Sequence, residues 1–282
     1  MQPPRITLGI ILGACSLMTV SLAAQWPAFP ERNAPRTADG KIDLAAPTPR
    51  TADGKPDFNG VWLNAWFYDG QVRPLPASPP GEPPAATFGD IFANFKQDPP
   101  PFRPWAAQLK AARKEQNSKD NPDAHCLPMG LMQFHMHPQP RKIVQTRDVI
   151  VVLYEGNAGI RQIFTDGRSL PSSDAQPWWY GYSVGHWDGD TLVVETTGFR
   201  DDGWLDIDGS PLTDAAKMTE RWRRLNYGTV QIDVTIDDPK AYTKPFSVRV
   251  HHRLMVDTRF DADLIEFICQ ENNKAPGLMV GK

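Results

Sequence analysis

The stretch Tyr180-Gly-Tyr-Ser-Val-Gly-His-Trp-Asp-Gly-Asp-Thr-Leu-Val-Val-Glu-Thr-Thr-Gly-Phe199 has two incompatible readings, and the choice between them sets the fold class. Its start, Gly181-Tyr182-Ser183-Val184-Gly185, spells the Gly-x-Ser-x-Gly of a serine hydrolase. That nucleophile needs a strand before the serine and a helix after it, so that a strained turn exposes the hydroxyl. Here His186-Trp187 and then Asp188-Gly189 follow the serine, and a β-branched run from Thr191 to Thr197 comes next. Asp-Gly between two such runs is a strong hairpin signal, because both central turn positions want φ > 0. The stretch therefore reads as strand, tight turn, strand, with Gly181, Ser183 and Gly185 on one face and Tyr182, Val184 and His186 on the other.

Outward from this hairpin the β pattern continues. Strands are predicted at residues 143–145, 149–155, 159–165, 181–187, 191–197, 217–225, 229–236, 246–256 and 264–269, most of them separated by turn signals such as Asp166-Gly167, Asp208-Gly209 and Asp238-Pro239. Val230, Ile232, Val234 and Ile236 alternate with Gln231, Asp233, Thr235 and Asp237, the mark of one buried and one wetted face. The run 191–197 alternates less cleanly, as expected of a strand that is covered by another segment or lines a cavity. Short strands with no helical stretches between them predict an all-β fold, an antiparallel barrel or curved sandwich.

The N-terminal half differs. Most of the 28 prolines lie before residue 141, which precludes continuous sheet or helix there. Arg36-Thr-Ala-Asp-Gly-Lys-Ile-Asp-Leu44 recurs as Arg50-Thr-Ala-Asp-Gly-Lys-Pro-Asp-Phe58, each copy carrying an Asp-Gly turn, and the second leads into an aromatic strand over 60–68. One short helix is predicted at 104–116, with Pro104 in its first turn. The organisation expected is a signal peptide over 1–23, a proline-rich arm over 24–56, a single barrel domain over 57–273 with an irregular insertion at 70–122, and a tail over 274–282.

A formal net charge of -3 on 282 residues gives no field to attract nucleic acid, and no basic run suggests a membrane surface. Arg5, the apolar stretch from Ile6 to Val20 and the small-x-small site ending at Ala23 have the layout of a secretory signal, so a periplasmic or secreted protein is expected. A lipoprotein reading with Cys15 acylated competes, although the apolar stretch continues past Cys15. No other segment reaches the roughly 18 apolar residues a membrane span needs. Cleavage leaves two thiols, Cys126 and Cys269, and an even count in an oxidising compartment argues for a disulfide that closes a loop of well over a hundred residues. A metal site using Cys126 and His125 is the weaker alternative, since no further ligand sits at a defined spacing.

The run from Gly181 to Phe199, Trp204-Leu-Asp206, Glu220-Arg221-x-Arg223-Arg224, residues 235–245, Cys126-Leu-Pro-Met-Gly130, Asp166-Gly-Arg168 and the Cys269-Gln-Glu-Asn272 ending together resemble a large family of exported bacterial proteins, mostly of unassigned function. The likeness extends over roughly 57–273 and implies a barrel in the style of lipocalins. It implies no reaction and no catalytic role for any residue.

Candidate chemistry gathers around the opening stretch. His186 with Glu195 or Glu220 is a candidate acid-base pair, with Arg221 as an anion stabiliser, should the protein be a lyase, isomerase or hydrolase. Against this, Glu220 pairing with Arg168, Arg221 or Arg223 would be a buried structural ion pair. His135-Met136-His137 puts two imidazoles on one side of an extended segment, a weak metal candidate for want of a third ligand. No cofactor is expected. The aromatics give the stronger hint. Trp179, Tyr180, Tyr182, Trp187, Trp204, Trp222 and Tyr242, with Asp206, are candidate ligand residues, and three adjacent rings at 178–180 cannot all point inward on a strand. The function expected is binding of a small apolar or aromatic molecule, with an enzyme on the same barrel or an envelope partner-binding protein as alternatives.

Overall fold

The computed structural model describes residues 34–65, 78–95, 99–256, 263–271 and 274. The expected signal peptide with Ala23 and Cys15, the start of the arm, the end of the 60–68 strand and most of the tail lie outside these residues. In chain order the strands are β1 (Gly60–Asn64), β2 (Arg141–Gln145), β3 (Val149–Tyr154), β4 (Ile160–Phe164), β5 (Tyr182–Asp188), β6 (Thr191–Thr197), β7 (Gly203–Trp204), β8 (Pro211–Leu212), β9 (Lys217–Asn226), β10 (Thr229–Asp237) and β11 (Phe246–Leu254). The helices are α1 (Pro104–Glu115) and α2 (Leu131–Met136).

A tight turn closes the β5–β6 hairpin where expected, but its central residues are Gly189 and Asp190, between the paired Asp188 and Thr191, and Gly189 alone of these has positive φ, +59°. Nine strands close a barrel in the order β1-β11-β10-β9-β6-β5-β4-β3-β2, and β7 with β8 forms a separate small ladder. Every barrel pairing is antiparallel except β4 with β5, where Ile163 lies opposite Ser183 and Phe164 opposite Val184. A parallel pair cannot be joined by a tight turn, so residues 165–181 make a long crossover at this seam. Alternation fills the interior: Val230, Ile232, Val234 and Ile236 of β10 are fully buried, as are Met218, Glu220 and Trp222 of β9.

The proline-rich segments are laid against the barrel rather than hung from it. Both copies of the repeat fold alike, with bridges Arg36 to Ile42 and Arg50 to Pro56 and glycines at φ +81° and +80°. The second copy is fastened by a two-pronged Arg50–Asp190 pair at 2.7 and 2.6 Å, and Gly228 and Tyr227 donate backbone hydrogen bonds to Leu44 and Ala46. β1 pairs with only residues 252–254 of β11. Residues 84–86 bond the backbone of Arg249 instead, covering an edge that would otherwise be open to pairing.

Two expectations are corrected here. Residues 264–269 are irregular rather than a strand. His135 and Met136 close the helix α2 instead of lying on an extended segment: Leu, Met and Gln favour helix, and the helix stops where Pro138 disfavours helical backbone at His137, which has ψ 140°. All six residues of α2 are buried. The Cys126–Cys269 disulfide is present, with Cα atoms 5.5 Å apart and a sequence separation of 143.

Candidate functional site

Inside the barrel, residues in phase with the core carry a connected polar network. Glu220 is fully buried and takes charge-assisted hydrogen bonds from Arg161, one of them at 3.1 Å and a shorter one to its other oxygen. His135 Nε2 lies 2.6 Å from Glu220 Oε1, and Trp222 Nε1 donates to the same oxygen at 3.3 Å. Arg161 also donates to Ser183 Oγ and to Thr196 Oγ1, at 3.1 Å each, and the two hydroxyls are 2.9 Å apart. The carbonyl of His135 accepts from Asn64 Nδ2 at 2.9 Å and from Arg141 Nη1 at 3.0 Å. His252 Nε2 is 2.8 Å from that same Arg141 nitrogen. His252 Nε2 also lies 2.9 Å from the His135 carbonyl oxygen, so this one ring nitrogen touches both a donor and an acceptor. Among the described residues, His135 Nδ1, His252 Nδ1 and Arg141 Nε have no hydrogen-bond partner although buried.

Burial sets the titration here. Burial pushes the Glu220 carboxyl up, but Arg161 and His135 outweigh it and hold the group well below the usual carboxylate range. Burial pushes His135 down, partly countered by Glu220. His252 is driven well down by burial and by Arg141. With His135 neutral and its Nε2–H donated to the Glu220 carboxylate, Nδ1 is left with a bare lone pair.

The predicted catalytic residues do not meet. β5 and β6 turn Ser183 and Thr196 inward, and His186 and Glu195 outward. His186 is exposed, and Glu195 pairs with Lys217 on the outer face. Arg221 is exposed and pairs with Asp188 at 2.9 Å. Only Glu220 of the predicted set lies inside, and its partner is Arg161 rather than Arg168, Arg221 or Arg223. Those three reach Asp166, Asp188 and Asp233 instead. His135 and His137 diverge: the first ring enters the barrel, while the second packs edge-on to Phe88 with centroids 5.1 Å apart. Among the described residues no group of three or more His, Cys, Asp or Glu is placed to hold a metal ion.

The predicted ligand residues are dispersed as well. Trp222 is a core residue against Phe58, and Trp187 stacks on the same ring at 5.9 Å. Tyr180 packs against Phe134, and burial pushes its hydroxyl up to about 12. Tyr182 faces outward and accepts from Arg168 at 3.0 Å. Tyr242 is buried among Phe92, Phe102 and Phe246 and donates to the Pro211 carbonyl at 2.8 Å. Asp206, fully buried, accepts from Ser210 Oγ at 2.6 Å and from the Ile91 backbone at 2.9 Å, so it pins loops rather than facing a ligand.

Trp179 and Trp204 line a common cavity. A cleft of about 440 Å³ opens outside the barrel between α1, residues 122–127 and these two rings. Leu109, Ala112, Pro122 and Leu127 complete its apolar walls, and Arg113, Gln116, Asp120, His125 and Asp202 supply polar groups. The Arg113 guanidinium lies 4.2 Å above the Trp204 ring, and Arg200 lies at the same distance over Trp179. The chain matches no protein-family model, no curated protein and no solved structure.

Proposed function

We propose that this protein is an exported binding protein that holds a small apolar or aromatic molecule in the cleft between α1 and the Trp179–Trp204 face. The observation that carries the reading is the cleft itself: about 440 Å³, two indole walls and a few convergent polar groups, within the 300–1,000 Å³ range usual for small-molecule sites. The disulfide supports export, because such bonds persist in oxidising compartments. The likeness of the sequence motifs to exported bacterial proteins points the same way.

Indole and benzyl alcohol are suitable probes, followed through the tryptophan Nε1–H signals of the 15N-labelled, oxidised protein. The expected result is saturable shifts of Trp179 and Trp204 at millimolar probe or below, weakened at least ~10-fold by Trp179→Ala. Unshifted signals for both residues at saturating probe overturn the reading.

A second reading, an enzyme, is favoured by the unpartnered Nδ1 of His135, whose Nε2 meets Glu220. It requires a reagent to reach His135. Modification of His135 by diethyl pyrocarbonate in the native protein at a rate near that of the surface His125 supports catalysis there, and full protection of His135 removes it.

A further inference from the structure

Of the charged groups that line the cleft, Arg113 has no ion-pair partner among the described residues, and that guanidinium names a ligand class. Arg113 stands in the last turn of α1, where Gly209 lets its side chain lie flat: a Cβ on Gly209 would come within 2.6 Å of Arg113 Cδ and 3.1 Å of the Trp204 ring, and Gly209 has φ +91°. The guanidinium is fixed from two sides, by the Trp204 ring at 4.2 Å and by one hydrogen bond from Nη1 to the Gly209 carbonyl at 3.0 Å. That bond uses one of the five N–H donors of the group.

The neighbouring acids are engaged with other cations. Asp208 pairs with Lys114 at 2.6 Å, Asp90 with Lys110 at 2.6 Å and Asp202 with Arg200 at 3.2 Å. Among the described residues no carboxylate forms an ion pair with Arg113. Asp120 and Asp206 act on it only through space: Asp120 is exposed, so water and salt screen it, and the buried Asp206 lies 3.9 Å from the Lys110 ammonium. A cationic ligand is disfavoured, because both indoles already carry a guanidinium over a face.

We propose that the cleft selects an aromatic carboxylate, the ring lying against Trp179 and Trp204 and the carboxylate taken by the free edge of the Arg113 guanidinium. This rests on the cleft being the binding site. A planar guanidinium matches a carboxylate with two parallel hydrogen bonds, and a partly desolvated one gains more from the pairing than an exposed one.

The test is isothermal titration of the full-length oxidised protein with benzoate, benzyl alcohol and benzylamine, which share a ring and differ in charge. Benzoate is expected to bind at least ~10-fold more tightly than the alcohol, with an affinity that falls as salt rises. Arg113→Gln is expected to cancel the preference, so that benzoate binds no more tightly than the alcohol does to the same variant. Arg113→Lys, which keeps the charge but loses the fork, is expected to fall between, and it serves alone should the glutamine variant not fold. Benzoate binding no tighter than the alcohol, or benzylamine binding tightest, overturns the carboxylate assignment and leaves the cleft in place. Failure of all three to bind overturns the cleft and the assignment together.

Discussion

Glu220 sits where two opposing costs meet. Both of its oxygens are engaged, by Arg161, His135 and Trp222, in a position with no solvent contact. Removing one partner of a buried ion pair strands the other charge, at a typical cost of about 3–5 kcal/mol, whereas replacing both by apolar groups is often nearly neutral. Glu220→Ala is therefore expected to lower stability by about 3–5 kcal/mol in urea unfolding, and Glu220→Leu combined with Arg161→Met to recover most of that loss. Additive losses in the double variant would mean that the two side chains do not act as a pair. His137 provides a pH probe. Burial and the nearby Arg141 charge bring it down to about 4 from an ordinary value of 6.5. The unfolded chain then takes up its proton first, so stability present above pH 6.5 is lost as pH falls from 6.5 through about 4. His135 and His252 are shifted in the same direction, while Asp206 and Asp123, raised by burial, oppose it at the acid end. Comparison with His137→Asn isolates the one group: the variant should lose less stability than the parent between those limits, and parallel curves would refute the assignment. The network was partly legible beforehand. Glu220 is in phase with Met218 and Trp222, and Arg161 with Ile163, so strand alternation alone marks two charged residues as core-facing. Choosing His186 over Ser183 ran against the same signal, because Ser183 shares its face with Trp187.

At the scale of elements, the strands were read nearly to their ends. Each of β2 to β6 and β9 to β11 rests on local alternation and on turns such as Asp188-Gly189, which need no distant information. α1 was equally visible from Pro104 and the helix formers after it. α2 was not, because six residues are too few to show a helical period and its stability comes from burial rather than propensity. Its approach is fixed by Gly130, where a Cβ would lie 2.0 Å from the backbone oxygen of Trp204. Gln133 reinforces the contact by donating to that same oxygen at 3.2 Å. Backbone cannot yield as a flexible side chain can, so Gly130→Ala must push α2 away from the segment that walls the cleft. A destabilisation of about 1–3 kcal/mol is expected, together with weaker probe binding at Trp204. Thermal melting and the Trp204 indole signal would check both parts, and an unchanged Trp204 environment would disconnect the helix from the cleft. The cleft was hidden for a related reason: α1, the 122–127 turn and Trp179 are brought together only by the barrel they surround.

For the molecule as a whole, the disulfide joins parts of unequal stability. Cys126 follows a short turn at Pro122–His125 that also walls the cleft. Cys269 lies in the segment 263–271, where Ile265 and Ile268 remain 54% and 62% exposed. Apart from the bridge, that segment is held by few polar contacts, among them Lys142 to Asp263 at 2.9 Å and the Ile265 backbone to Glu155 at 3.2 Å. Closing a loop across 143 residues is worth about 5 kcal/mol in the chain-entropy model. That figure assumes that the cut chain keeps the same native structure. Here the segment buries little, so once the bridge is cut it can detach and regain conformational freedom while the barrel stays folded, which offsets part of the loss. Replacing both cysteines with alanine is therefore expected to cost less than about 5 kcal/mol, to preserve the β-sheet circular dichroism, and to open residues 263–271 to protease. Limited proteolysis with mass mapping, alongside urea unfolding of the oxidised parent, measures all three. A barrel that unfolds without the bridge, or a C-terminal segment that stays protected, would show instead that the segment is integral to the core.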